Sequence, residues 1–157
     1  MTGIIEERLA ALGIALPEAR EARVAKIRGA NLAGRILYVS GQVPQWNGDI
    51  RFIGKVGADF TVAEGREAAR LSALNVLAHA RAALGGDLDR IEKVAKLRGY
   101  VNATEDLTMV AEVVNGASEL MVEVFGEAGQ HARTVAGVTV MPFGVAIEVE
   151  AEFLIRG

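Results

Sequence analysis

Val145-Ala146-Ile147-Glu148-Val149-Glu150-Ala151-Glu152-Phe153 is the stretch that decides the fold. Val145, Ile147, Val149, Ala151, Phe153 and then Ile155 occupy every second position, with Glu148, Glu150 and Glu152 between them. A repeat of two is that of a β-strand, so one face is buried and the other carries a row of carboxylates. Met141-Pro142-Phe143-Gly144 precedes it, and proline and glycine suit the second and fourth positions of a type I turn. The reading is an antiparallel hairpin with Pro142 and Phe143 at its tip. Met141 then pairs with Gly144, Val140 with Val145 and Val138 with Ile147, and the apolar faces coincide. In this register Arg133, within His131-Ala132-Arg133-Thr134, lies on the glutamate face directly opposite Glu152, where a cross-strand ion pair is available. Glu148 lies opposite Gly137, about 13 Å along the strand from Arg133. Joint action of Arg133 and Glu148 therefore requires strong twisting, a ligand spanning the gap, or residues from two subunits.

Working back from the hairpin, Leu107, Val110, Val114, Ala117, Met121, Val124 and Phe125 recur at helical spacing. That helix contains Asn115-Gly116, where the glycine costs about 1 kcal/mol of helix propensity. Ile91 to Val101 reads as a strand. Before it, Thr61-Val62-Ala63-Glu64 is a capping box. Leu71, Leu74, Leu77, Ala80 and Leu84 continue from it as an apolar stripe, which Gly85-Gly86 can end. Gly34 to Gln42 reads as a strand centred on Ile36-Leu37-Tyr38-Val39, and Asn47-Gly48 marks a hairpin turn. Ile4, Ile5, Leu9 and Leu12 predict a short amphipathic helix closed by Gly13. The expected fold is α+β: two long helices on one face of a largely antiparallel sheet, with the other face solvated or covered by another subunit.

The 157 residues, 51% hydrophobic and 24% charged, suit one domain with a sizeable core, 1–157. Residues 1–20 read as an N-terminal helical extension rather than a signal peptide, because Glu6, Glu7 and Arg8 interrupt the apolar pattern. No apolar run reaches membrane-spanning length, and the expected location is the cytoplasm. A net charge of −3 gives no long-range attraction to nucleic acid. The chain has no cysteine, which removes disulfides, thiolate catalysis and cysteine-ligated metals.

Two histidines, His79 and His131, lack second metal ligands at usual spacing, so no metal site is read. Glu148, Glu150 and Glu152 read as the solvated face of one strand. Ser40, in Val39-Ser40-Gly41-Gln42, reads as a turn hydrogen-bonder, and Gly41 allows an anion to approach the backbone. No phosphate loop, dinucleotide fingerprint or serine-hydrolase elbow is present.

Several separated segments, in order and spacing, resemble the RidA/YjgF family of reactive-intermediate deaminases, also called L-PSP endoribonuclease-like proteins. They are Ser40-Gly41-Gln42-Val43-Pro44, Asn115, Ala132-Arg133-Thr134, Pro142 and Ile147-Glu148-Val149-Glu150-Ala151, within Gly34 to Arg156. The resemblance implies a chorismate-mutase-like fold (bacillus type), a homotrimer and sites in clefts between subunits. It implies that Arg133 grips a substrate carboxylate and that Glu148 places or activates a water. It also sets Ser40, Gly41 and Asn115 around the substrate, and His131, which shares a strand face with Arg133, is read as a further substrate-side residue or equally a surface histidine. The implied reaction is hydrolysis of 2-aminoacrylate-like enamines and imines to 2-oxo acids and ammonia, with no metal or organic cofactor. Two departures mark this chain. A tyrosine usual near the N-terminal strand is absent where Lys26 and Ile27 stand, and His131 stands two residues before the arginine where proline is common. The missing tyrosine supports an alternative, a non-catalytic or regulatory trimer binding a small carboxylate. An endoribonuclease is disfavoured by the acidic balance and by aromatics of only 5%.

Overall fold

The computed structural model describes residues 2–157. In chain order the elements are α1 (Ile4–Ala11), β1 (Ala30–Ala33), β2 (Ile36–Gln42), β3 (Gln45–Trp46), β4 (Asp49–Ile50), α2 (Val62–Ala83), β5 (Ile91–Asn102), α3 (Val110–Phe125), β6 (Ala132–Val138) and β7 (Ile147–Ile155), joined by turns and short 3₁₀ segments. Five strands form one mixed sheet in the order β1-β2-β7-β5-β6, and β3 and β4 form a separate ribbon.

The alternating strand is β7, and its apolar residues Ile147, Val149, Ala151, Phe153 and Ile155 are all buried. They face α2, which lies over β7 and β2, while α3 lies over β5 and β6. The expected layer of two long helices on one sheet face is thus present. The Thr61 hydroxyl accepts from the Glu64 amide at 3.1 Å, and the Glu64 carboxylate accepts from the Thr61 amide at 3.1 Å, completing the capping box. Asn47 and Gly48 both have positive φ, 50° and 92°, as a tight hairpin turn between β3 and β4 requires.

The expected hairpin between β6 and β7 does not form. β6 pairs in parallel with β5, Leu97 beside Arg133, and β7 pairs antiparallel with β5 on the other side, Tyr100 beside Glu148. The eight residues between Val138 and Ile147 step across the end of β5. They are held there by Ala103 N–H to the Val138 carbonyl (3.1 Å) and Asn102 N–H to the Ala146 carbonyl (2.9 Å). The turn at Met141–Gly144 closes with the Gly144 amide on the Met141 carbonyl at 2.9 Å. Phe143 has φ 60° and ψ 9°, so it is type II in shape rather than type I.

Glu152 is paired with Arg98 (2.7 Å), not with Arg133, and Glu150 accepts from the Tyr100 hydroxyl at 3.1 Å. Both contacts run diagonally across the β5–β7 pair.

Gly116 explains itself in this packing. A Cβ there would overlap the backbone carbonyl of Arg66, so the bare glycine lets α3 approach α2 closely. Gly116→Ala gains about 1 kcal/mol of helix propensity, but must force the helices apart at an overpacking cost of about 1–3 kcal/mol. The expected result is a lower thermal midpoint. An unchanged or raised midpoint would show that the helices separate freely.

Candidate functional site

The sequence-identified residues gather into two groups on opposite faces of the sheet. The first group forms where β2 meets β7. Their register shifts between Val39 and Gln42: three residue steps on β2 match two on β7, a bulge that turns out Ser40 and Gly41. Ser40 is tied back to the segment before β1, its amide to the Gly29 carbonyl (2.8 Å) and its hydroxyl to the Arg28 carbonyl (2.6 Å). Both its amide and its hydroxyl hydrogen are thus used within the chain. Gly41 lies against the Glu148 carboxyl so closely that any Cβ would overlap it. Together they border a cavity of about 300 Å³, also lined by Ile27, Arg28, His79 and Phe143.

Glu148 is half-buried and accepts no hydrogen bond from a described side chain. Burial raises its pKa above the ordinary carboxylate value, and the neighbouring Glu150 charge raises it further. A carboxyl in this condition holds its proton to higher pH than an ordinary carboxylate, the direction that suits a proton-transfer group. His79 lies beneath the same cavity, buried, with its Nδ1 3.9 Å from Glu21. Burial lowers its pKa, against the opposing pull of Glu21. The sequence offered no pattern that would have drawn His79 to this place.

The second group lies on the helix side. Arg133 is level with buried Leu97 and faces α3, not the glutamates. Its Nη1 donates to Asn115 Oδ1 at 2.7 Å and to Ser118 Oγ at 3.1 Å. His131 joins them: Nε2 is 2.9 Å from Ser118 Oγ, and Nδ1 is 2.6 Å from the Gly129 carbonyl. Burial lowers the His131 pKa; the Gly129 carbonyl opposes that shift, and the Arg133 charge adds to it. Arg133 is half-buried, and no described carboxylate pairs with it. A guanidinium held by neutral acceptors keeps its charge for an incoming anion. Ser118 was missed in the sequence reading, although it lies three residues after Asn115 and so shares its helix face.

The structure thus brings Ser40, Gly41 and Glu148 together, and Arg133, Asn115 and His131 together. It does not bring the two sets together within one chain, because β5 lies between β6 and β7.

Among the described residues no helix is long and apolar enough to cross a membrane. Residues 6–151 match the profile of the family described as "YjgF/chorismate mutase-like, putative endoribonuclease". Protein TCP17 of Trypanosoma cruzi is 44% identical over 151 residues, 96% of this chain and 93% of that one. The crystal structure of Atu1372 from Agrobacterium tumefaciens is 41% identical, covers 98% of this chain and 94% of that one, and superposes with a TM-score of 0.90. A Shewanella oneidensis MR-1 structure carrying the same endoribonuclease description is 35% identical, covers 98% and 100% of the two chains, and has a TM-score of 0.92. Profile, relatives and fold agree over nearly the whole length: the chain belongs to the YjgF/RidA family.

Proposed function

We propose that the protein is an imine/enamine deaminase acting on small carboxylate-bearing substrates, in clefts formed between copies of the chain in a homotrimer. The observation that carries this reading is the separation of the two groups. A half-buried guanidinium that no described carboxylate pairs with and a partly desolvated carboxylate lie on opposite sheet faces with β5 between their strands, which supports a second copy supplying the missing half. In such a cleft Arg133 takes the substrate carboxylate through two parallel hydrogen bonds. Glu148 removes a proton from a water, whose oxygen bonds to the imine carbon while the C=N electron pair moves to nitrogen and is protonated. The carbinolamine then loses ammonia and leaves the 2-oxo acid; an enamine first tautomerises to the imine. The imine carbon is already electrophilic, so positioning and acid–base assistance suffice.

A second reading has its own observation. Ile27 lines the cavity beside Glu148, in the neighbourhood where a tyrosine was expected. A trimer that binds a small carboxylate without turning it over fits that apolar substitution. An RNA-cleaving role would call on His131, but both its ring nitrogens are already engaged by Ser118 and Gly129.

Two measurements test the proposal. Light scattering on purified protein is expected to give the mass of three chains, and a stable monomer at micromolar concentration overturns the shared cleft. Ammonia release from enzymatically generated 2-aminoacrylate is expected. Pyruvate binding without ammonia release from any imine tried transfers the site to the second reading.

A further inference from the structure

Arg133 has five N–H donors, and two neutral acceptors already take both hydrogens of Nη1. That leaves Nε–H and the two hydrogens of Nη2, the side-on edge that accepts a carboxylate in two parallel bonds. Which edge stays open therefore depends on what fixes Nη1, and Ser118 is one of its two fixers.

A hydroxyl can turn, so Ser118 alone would be an indifferent partner for a guanidinium. Its direction is set by the imidazole beyond it. The Gly129 carbonyl can only accept, so His131 Nδ1 must carry a hydrogen. With the ring neutral, Nε2 is then bare and accepts from the Ser118 hydroxyl. That commits the Ser118 hydrogen to His131 and presents the oxygen lone pairs to Arg133. The chain of donors runs one way: Arg133 to Ser118, Ser118 to His131, His131 to Gly129.

We infer that Ser118 and His131 are positioning residues, a one-way hydrogen-bond relay from the Gly129 carbonyl that holds Arg133 with its Nε–Nη2 edge open to the ligand carboxylate. The inference rests on the reading of Arg133 as carboxylate anchor and adds to it the two residues that orient it. Neither touches the substrate. Asn115 holds the other Nη1 hydrogen, so loss of the relay weakens the anchor without removing it.

The test is calorimetric titration of the assembled protein with pyruvate, paired with imidazole nitrogen NMR. The nitrogen shifts of His131 near neutral pH are expected to show the Nδ1-protonated tautomer; an Nε2-protonated ring reverses the relay and overturns it, whatever the protein binds. Ser118→Ala is expected to weaken pyruvate binding about tenfold and His131→Asn about threefold, as for loss of a hydrogen bond to a charged group and of its support. Because the two act as a unit, the double variant is expected to stay near about tenfold, whereas independent roles would multiply to about thirtyfold and refute the relay. Ser118→Thr restores the hydroxyl and is expected to bind within about twofold of wild type; a Thr variant as weak as Ala assigns the loss to packing and overturns the inference. Arg133→Ala separates the two levels. If it abolishes binding while the Ser118 and His131 variants bind as wild type, the anchor stands and the relay falls. If it binds as wild type, or if wild type itself binds no pyruvate, anchor and relay fall together.

Discussion

Arg133→Lys is expected to lose affinity for small 2-oxo acids nearly as completely as Arg133→Ala, on the order of 100-fold in each case. Charge is not what the site lacks without arginine, because lysine keeps it. What lysine cannot supply is number and geometry of donors. Arg133 already spends two hydrogens on Asn115 and Ser118 and still offers a planar edge of three more. A lysine ammonium has three hydrogens on one nitrogen; satisfying Asn115 and Ser118 leaves a single one for the ligand, with no parallel pair. Calorimetric titration with pyruvate measures both variants. Full affinity in Arg133→Lys would reduce the residue to a point charge, and full affinity in both would remove it from the site. Light scattering on the same samples shows whether the assembly has been disturbed, since β6 is the edge strand of the sheet.

The fate of Arg133 also shows where a sequence stops speaking. Alternation along β7 told correctly which of its residues are buried, because facing is a property of one strand. It could not tell which strand lies beside it. Leu97, Gly99 and Val101 of β5 pair with Ala151, Val149 and Ile147, and they match that face as well as β6 does. Proximity in sequence favoured β6, but the eight-residue connection is long enough to step over β5. Once the neighbour was wrong, the glutamate partner was wrong too, and the cation that reaches Glu152 is Arg98. The hairpin register sets Arg133 on the glutamate face, opposite Glu152, and that placement falls with the hairpin. Arg133 faces α3, where Asn115 and Ser118 offer polar acceptors beside the buried Val114, Ala117 and Met121. Local signals fared better where the chemistry is local. The capping box, the Asn47-Gly48 turn and the helix running through Gly116 all stand where the sequence placed them.

Candidate residues such as Gly41, Arg133 and Glu148 can be named from the sequence, but Ser118 and His79 beside them cannot, and neither can the arrangement. Gly41 and Glu148 are far apart in sequence, and neither predicts the other from spacing. They meet because β2 and β7 are neighbours with a bulge at Ser40–Gly41, a feature no composition or periodicity encodes. The same bulge leaves the cavity wall without a side chain at the place the carboxyl occupies.

Glu148→Gln is expected to lower ammonia release by at least about tenfold, the cautious end of what a general base contributes, while leaving pyruvate affinity and assembly near wild type. The substitution keeps shape and removes the base. The pH profile carries the sign. Glu148 must be ionised to take a proton from water, and burial followed by the Glu150 charge raises its pKa. Turnover should therefore fall as pH drops through that raised value, earlier than for an ordinary carboxylate. Glu150→Gln removes the second cause only, so it should move the acid limb to lower pH and leave the neutral rate intact. Stability should move the other way from activity. A carboxyl whose folded pKa is raised binds protons more tightly in the native state than in the unfolded chain, so its ionisation weakens the fold at neutral pH. Glu148→Gln should thus unfold at a higher temperature than wild type near neutrality, with the difference shrinking as pH falls through the folded and then the unfolded pKa. A variant that is more stable and less active carries the signature of a functional carboxylate held in a costly place. A variant that keeps its rate while Arg133→Ala loses it gives the placing of water to backbone groups around Gly41 instead.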